Sequence, residues 1–173
     1  MNIREATKTD FEQVWPIFQE IAMAGETYTY APGITKEQAY TAWVETPRKT
    51  FVFEEQGVIL GTYFIKTNQG GHGDHVCNCG YMVSSAARGR GLATAMCEHS
   101  QAVARQLGYQ AMQFNFVVAT NESAVKLWNK LGFDTVGRLP KAFRHPSKGL
   151  VDALVMYKWL ERRRPLPPQR NVT

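Results

Sequence analysis

Apolar and polar positions alternate from the first residues of this chain, and the period changes along it. Asn2 to Ala6 follow the two-residue period of a strand. Thr9-x-x-Glu12 then offers a capping box to a helix whose apolar positions are Phe11, Val14, Trp15, Phe18, Ile21 and Ala22. Pro16 lies inside that pattern and predicts a kink or a late start. Thr35-x-x-Gln38 offers a second cap, for a helix through Trp43 and Val44. Between the two lies a polar and aromatic loop beginning at Gly25: Glu26, Thr27, Tyr28, Thr29, Tyr30, Ala31, Pro32, Gly33. It reads equally as one wall of a pocket or as a surface loop pinned by half-buried tyrosines.

From residue 51 the strand period dominates. Phe51 to Glu54 and Val58 to Lys66 flank the turn Glu55-Gln56-Gly57, a hairpin signal. Thr67 to Asp74 is a polar, glycine-rich loop, and His75 to Val83 is the next strand. A helix is expected from about Leu92 to Leu107, stopped by Gly108, and Ala111 to Val118 reads as a strand. A short amphipathic helix follows Asn121. Its apolar positions Ala124, Leu127, Trp128 and Leu131 fall at i, i+3, i+4 and i+7, and Gly132 stops it. Phe133 to Arg138 and Val151 to Trp159 are the last strands, separated by a predicted loop with Pro140, His145, Pro146 and Gly149. Alternating helices and strands without repeat or linker predict one mixed α/β domain over 1–160. The basic, proline-rich tail 161–173 is expected to be extended or disordered.

Composition narrows the class. With 173 residues, 44% hydrophobic, the chain can bury one substantial core, and no run approaches the length of a membrane helix. Met1 to Glu5 enter a strand pattern directly, without the pattern of a secretory leader. Cys77, Cys79 and Cys97 are odd in number and lack zinc-ligand spacing, which predicts reduced thiols in a cytoplasmic protein. His72, Asp74 and His75 share a loop without a second ligand group, so no metal is expected. The net charge of +5 is modest and scattered, and no nucleic-acid motif is present, so neither nucleic acid nor membrane is an expected partner.

The chemistry concentrates in Arg88-Gly89-Arg90-Gly91-Leu92-Ala93, a glycine turn between a strand and a helix. A helix start carries N–H groups without internal partners and a partial positive charge, so it suits a phosphate. Gly89 and Gly91 let the backbone approach the anion closely, and Arg88 and Arg90 add charge. A solvated glycine turn is the plainer alternative. The spacing matches neither the P-loop nor the dinucleotide fingerprint.

Arg88-x-x-Gly91-x-Ala93 resembles the (Gln/Arg)-x-x-Gly-x-(Gly/Ala) signature of the GCN5-related N-acetyltransferase (GNAT) family. Asn121-x-x-Ala124-x-x-Leu127-Trp128-x-x-x-Gly132-Phe133 resembles the other cofactor segment of that family, in the right order. The resemblance implies a twisted, mostly antiparallel mixed sheet flanked by helices, its fourth and fifth strands splayed around acetyl-CoA. It further implies pantetheine bonded to the backbone of Met82 and Val83, and pyrophosphate held by N–H groups from Gly89 through Leu92 to Ala93. Asn121 would bond the pantetheine, with Ser123 assisting; a plain helix cap also suits Asn121. Where the family expects a tyrosine as general acid this chain has Trp128, which also fits the core.

Asn78 and Asn115 stand in the middle of apolar strands, where an unpaired amide is costly. They read as groups aimed at a ligand, or as partners of each other or of a bulged backbone. Glu26 is a candidate base over the acceptor, and Arg144 and His145 are candidate contacts to an anionic one. A weaker resemblance, through Asn115 to Val118, Thr120-Asn121, Lys126 to Trp128 and Val151 to Ala153, points to the yeast acetyltransferases that detoxify azetidine-2-carboxylate. It implies a homodimer in which Asn78 and Asn115 hold a small amino or imino acid at the catalytic centre. Three readings therefore stand: a small-molecule N-acetyltransferase, a protein N-terminal or lysine acetyltransferase, and a non-catalytic acyl-CoA-binding or nucleic-acid-binding module.

Overall fold

The computed structural model describes residues 2–160; Met1 and the tail 161–173 lie outside the described residues. The elements in chain order are β1 (Asn2–Glu5), α1 (Phe11–Ala24), α2 (Lys36–Tyr40), β2 (Lys49–Glu55), β3 (Val58–Thr67), β4 (Val76–Val83), α3 (Leu92–Gln106), β5 (Ala111–Val118), α4 (Glu122–Lys130), β6 (Asp134–His145) and β7 (Gly149–Trp159). The strands form one seven-stranded sheet in the order β1-β2-β3-β4-β5-β7-β6. Every pair is antiparallel except β4 with β5.

Strand alternation divides the core between two faces. Phe51, Phe53, Tyr63, Ile65, Cys77 and Cys79 face α3 and α4 and pack on Met96, Trp128 and Phe133. Val52, Ile59, Phe64 and Met82 face α1 and α2 and pack on Phe18 and Trp43. The three cysteines are free and buried. Among the described residues no helix is long and apolar enough to cross a membrane.

Local signals account for most boundaries. Gln56 and Gly57, both at positive φ (51° and 79°), make a two-residue turn whose twist suits the β2–β3 hairpin. Thr35 caps α2 as expected: its Oγ1 accepts from Gln38 N–H at 3.2 Å and its N–H donates to Gln38 Oε1 at 3.0 Å. Beyond α2 the helix widens into a π turn over Thr41–Glu45, which brings in Trp43. The first cap is not the expected Thr9–Glu12 pair. The N–H and hydroxyl of Thr7 donate to Asp10 at 2.6 and 2.8 Å, because Asp10 is also drawn to Arg4. Helix α1 then runs continuously through Pro16.

The larger correction is β6. The expected loop holding Pro140 and His145 is strand as far as His145. Proline is tolerated because β6 is an edge strand and its register shifts between Leu139 and Phe143. Asp152 fastens that bulge, accepting from the Lys141 N–H at 2.9 Å and from Arg138 at 2.8 Å.

Candidate acetyl-donor and acceptor site

The parallel ladder between β4 and β5 is short. It pairs Val76 with Ala111, Cys77 with Met112 and Asn78 with Gln113, and there it ends. Beyond Asn78 the strands diverge around a cavity of about 960 Å³, lined by both strands, the loop at Glu26–Tyr30, the glycine turn and the start of α4. The splay expected from the resemblance is therefore present, and Asn78 stands at its fork. Asn78 Nδ2 donates to the Gln113 carbonyl at 2.9 Å, in place of the next ladder bond.

The direction of the β4 backbone can be read from its bonds. The Ser84 N–H returns to the Leu60 carbonyl on β3, so Met82, two residues earlier, also faces β3. Tyr81 and Val83 therefore turn their N–H and C=O into the splay. That refines the expectation for Met82 and Val83: Val83 presents an open ladder position, while Met82 contributes a buried side chain. The open groups of Tyr81 are already engaged. The Tyr28 hydroxyl donates to the Tyr81 carbonyl and accepts from its N–H, both at 2.8 Å. Burial pushes the Tyr28 phenol well above its usual range, so the hydroxyl remains a neutral donor.

At the mouth, Gly89 and Gly91 adopt φ of 76° and 81°, and a side chain at either would meet nothing within 4 Å. Their role is conformational and leaves the approach to the backbone open. The first bond of α3 is Ala95 N–H to the Gly91 carbonyl. The N–H groups of Leu92, Ala93 and Thr94 thus have no partner inside the helix. Arg88 is exposed at the rim, 3.9 Å from Glu20. Arg90 departs from expectation: it pairs with Glu55 at 2.6 Å and borders a separate hollow of about 250 Å³ with Ile3 and Phe53. Across the cleft, Asn121 Oδ1 accepts from the Ala124 N–H at 3.4 Å and the Ser123 hydroxyl at 3.1 Å. The cap uses the carbonyl of that amide and not its NH₂, so the two expected roles are compatible.

On the acceptor side, Glu26 is exposed and is the one carboxylate among the residues lining the cleft. Tyr28 and Tyr30 stack at 5.7 Å, and Tyr30 packs on Phe18 at 4.7 Å, so their loop is both pinned and pocket-lining. Asn115 is exposed at an irregularity in the β5–β7 ladder. It accepts from Gln113 Nε2 at 2.8 Å and donates to Asn68 Oδ1 at 2.7 Å. Asn78 and Asn115 line one cleft but are joined through Gln113 rather than to each other. Neither amide can exchange a proton at neutral pH, so either can act only as a hydrogen-bonding group. His145 is buried beside Phe143 and Ser147, and neither it nor Arg144 lines the cleft.

Trp128 is 8% exposed and packs on Tyr81 and Phe114, each at 5.1 Å. Tyr81 turns its hydroxyl to Ser100 at 2.7 Å, and burial drives that phenol far up. One long-range bond and one cleft cation lie beyond the local sequence patterns. The Tyr28 bond spans 53 positions, which no local pattern reveals. Lys66 lines the cleft two residues after Phe64, and its position as a cation closing an apolar strand was the available signal.

These donors suit a phosphorylated, amide-bearing thioester: unpartnered helix N–H groups at one end, an open strand edge beside them and a free amide opposite. The comparisons agree. Residues 9–133 match the acetyltransferase (GNAT) family. The chain is similar to the N-acetyltransferase aca1 of Schizosaccharomyces pombe, 34% identical over 98 residues, 56% of this chain and 47% of that protein. The match thus spans about half the length of that relative. A GCN5-related N-acetyltransferase structure from Kribbella flavida is 43% identical, covers 92% of this chain and 97% of its own, and has a TM-score of 0.87. The yncA structure from Salmonella typhimurium, solved with its cofactor acetyl-CoA, shares the fold at 20% identity, with a TM-score of 0.83 over 97% of this chain and 98% of its own. Sequence signature, splayed strands and these likenesses converge: the chain belongs to the acetyltransferase (GNAT) family.

Proposed function

We propose that this chain moves the acetyl group of acetyl-CoA to the amine of a small molecule, an amino or imino acid, by direct transfer within the splay. The observation carrying this reading is the juxtaposition of the open Val83 edge, the unpartnered N–H groups of Leu92 to Thr94 and the spare Asn121 amide around one cleft. Acetyl-CoA supplies an activated acetyl thioester. Val83 and Asn121 hold its arm, while the turn from Gly89 to Ala93 and Arg88 hold its diphosphate. Ser123 supports Asn121 through its hydroxyl.

The acceptor enters beside Glu26, Asn78 and Asn115. Its nitrogen forms a bond to the acetyl carbon, the carbon–sulfur bond breaks, and the nitrogen's proton leaves as the thiol of coenzyme A gains one. Glu26, facing the cleft, takes up the amine proton through water. Tyr81 and Trp128 are not assigned as the acid, since the Tyr81 hydroxyl is engaged with Ser100 and burial makes it a weaker acid, and an indole holds its proton. Geometry supplies most of the acceleration, by fixing the amine against the carbonyl. A homodimer is part of this proposal, supported by Val136, Leu139 and Leu150 exposed on β6 and β7; sedimentation equilibrium tests it.

The test is thiol release from acetyl-CoA with amino acids, imino acids, polyamines and peptides as acceptors. Small amino or imino acids should be acetylated, and Asn115→Ala and Asn78→Ala should raise the acceptor KM far more than that of acetyl-CoA. Turnover confined to peptides would replace this reading with protein acetylation. Binding of acetyl-CoA without turnover on any amine would leave only a binding module.

A further inference from the structure

Residues paired across neighbouring strands share a face of the sheet: Lys66 is paired with Asn78 in the antiparallel β3–β4 ladder, and Asn78 with Gln113 in the parallel β4–β5 ladder. These three residues form a row on one face of the sheet, with Asn115 one strand period beyond Gln113, and Lys66, Asn78 and Asn115 line the cleft. The Lys66 ammonium sits 5.4 Å from the centre of the Phe64 ring, which holds it over the apolar wall of the cleft. Among the described residues no carboxylate lies within ion-pair distance of it. Lys36 and Lys49, by contrast, are each paired to a glutamate.

The ligand for this charge is not the cofactor's diphosphate. Asn78 lies five residues from Val83 along an extended strand, roughly 16 Å, and the glycine turn lies further still. The ligand belongs to the acceptor end, where Glu26, the one carboxylate lining the cleft, is not within ion-pair distance of Lys66 and the groups on the strands are neutral amides and aromatic rings. One unpaired ammonium among amide donors suits a carboxylate, the chemistry that an ammonium and an amide N–H recognise together.

We propose that Lys66 is the specificity-determining residue for the acceptor, its ammonium pairing with the acceptor's free carboxylate. Free amino or imino acids are then preferred over their carboxamides, over simple amines and over peptide N-termini, whose nearest carbonyl is an amide. This rests on the reading of the chain as an amine acetyltransferase, and it adds which end of the acceptor is recognised and by which residue.

The experiment measures thiol release with matched acceptors, proline and prolinamide, azetidine-2-carboxylate and its carboxamide, alanine and alaninamide. The enzymes are wild type, Lys66→Met, Lys66→Arg and Lys66→Glu. The wild type should favour the acids. Lys66→Met should raise the KM for the acids about 10- to 100-fold, the size of a lost charge-assisted bond, with the KM for acetyl-CoA much less affected. Lys66→Arg should recover most of the preference, and Lys66→Glu should reverse it in favour of the carboxamides. Thermal unfolding close to wild type is expected throughout, since no ion pair within the fold is broken. Equal use of acid and carboxamide by the wild type, or equal loss of both in Lys66→Met, would overturn Lys66 while leaving the acetyltransferase reading intact. Absence of thiol release with every amine would overturn both.

Discussion

Replacing Tyr28 by phenylalanine removes one oxygen and keeps the ring against Tyr30 and Trp43. That oxygen serves two backbone groups of Tyr81 at 2.8 Å each. Once it is gone, an N–H and a C=O inside the fork lose their partner. Leaving such groups unmade costs about 1–3 kcal/mol, and the open cleft lets water recover part of it. A net loss of roughly 1–2 kcal/mol follows, or about 2–8 °C in Tm for a domain of this size. Urea unfolding of both proteins, with and without saturating acetyl-CoA, reads it. Freeing Tyr81 extends the open edge of β4 by one position, so acetyl-CoA should stabilise Tyr28→Phe more than the wild type. An unchanged unfolding midpoint without ligand would refute the role assigned to this hydroxyl. A deficit that acetyl-CoA does not narrow would refute the idea that the arm and Tyr28 share that strand edge.

Gly91 holds φ at 81° with open space beside it, so Gly91→Ala should cost about 1–2 kcal/mol of backbone strain and raise the KM for acetyl-CoA while sparing that of the acceptor; initial-rate kinetics with each substrate varied will show the split. Trp128→Phe should lose packing but keep activity within a few-fold, because Trp128 is core; a loss on the order of 100-fold or more with the fold intact, the size expected for an acid catalyst, would reverse that assignment. The Arg4 guanidinium, helped by Thr7, holds the Asp10 carboxyl well below the usual carboxylate range. Its contribution to stability is therefore whole above the unfolded value of 3.8 and is lost as pH falls below it, so Asp10→Asn should flatten the acid limb of a stability profile. Burial lowers the pKa of His99, which hydrogen-bonds Tyr63, so stability should also begin to fall as pH drops through 6.5, and His99→Gln should remove that component.

What the sequence disclosed was the part set by neighbours along the chain. The glycine turn, the Asn121 cap and the Gly132 stop each depend on a few adjacent residues, and each stands where the pattern placed it. Strand β5 keeps its expected bounds because its apolar run is flanked on both sides by turns. The departures come from distant partners. Pro140 reads as a loop residue unless β6 is known to be an edge strand fastened by Asp152. Thr9–Glu12 has the form of a cap, yet Arg4 draws Asp10 into that place. Arg90 carries the right charge for phosphate and spends it on Glu55, across the sheet. Asn78 reads as a ligand group or as a partner of a bulged backbone, and its actual partner, the Gln113 carbonyl, is open to it only because two strands diverge there. The glycine turn and the Asn121 cap are therefore legible as local motifs, whereas the cleft wall around Asn78 is assembled from β3, β4, β5 and the Tyr28 loop, which lie far apart in sequence.

The central claim is that the turn from Gly89 to Ala93 holds the diphosphate while the Val83 edge holds the arm of one acetyl donor. The most direct test is the ratio of KM for S-acetylpantetheine, which carries the arm without the diphosphate, to KM for acetyl-CoA with the best small-amine acceptor. A ratio on the order of 100 or more, with turnover retained on both donors, is the predicted result, corresponding to about 3 kcal/mol of binding to the diphosphate and nucleotide end of the donor. Equal KM values, or no thiol release from acetyl-CoA with any amine, would contradict it.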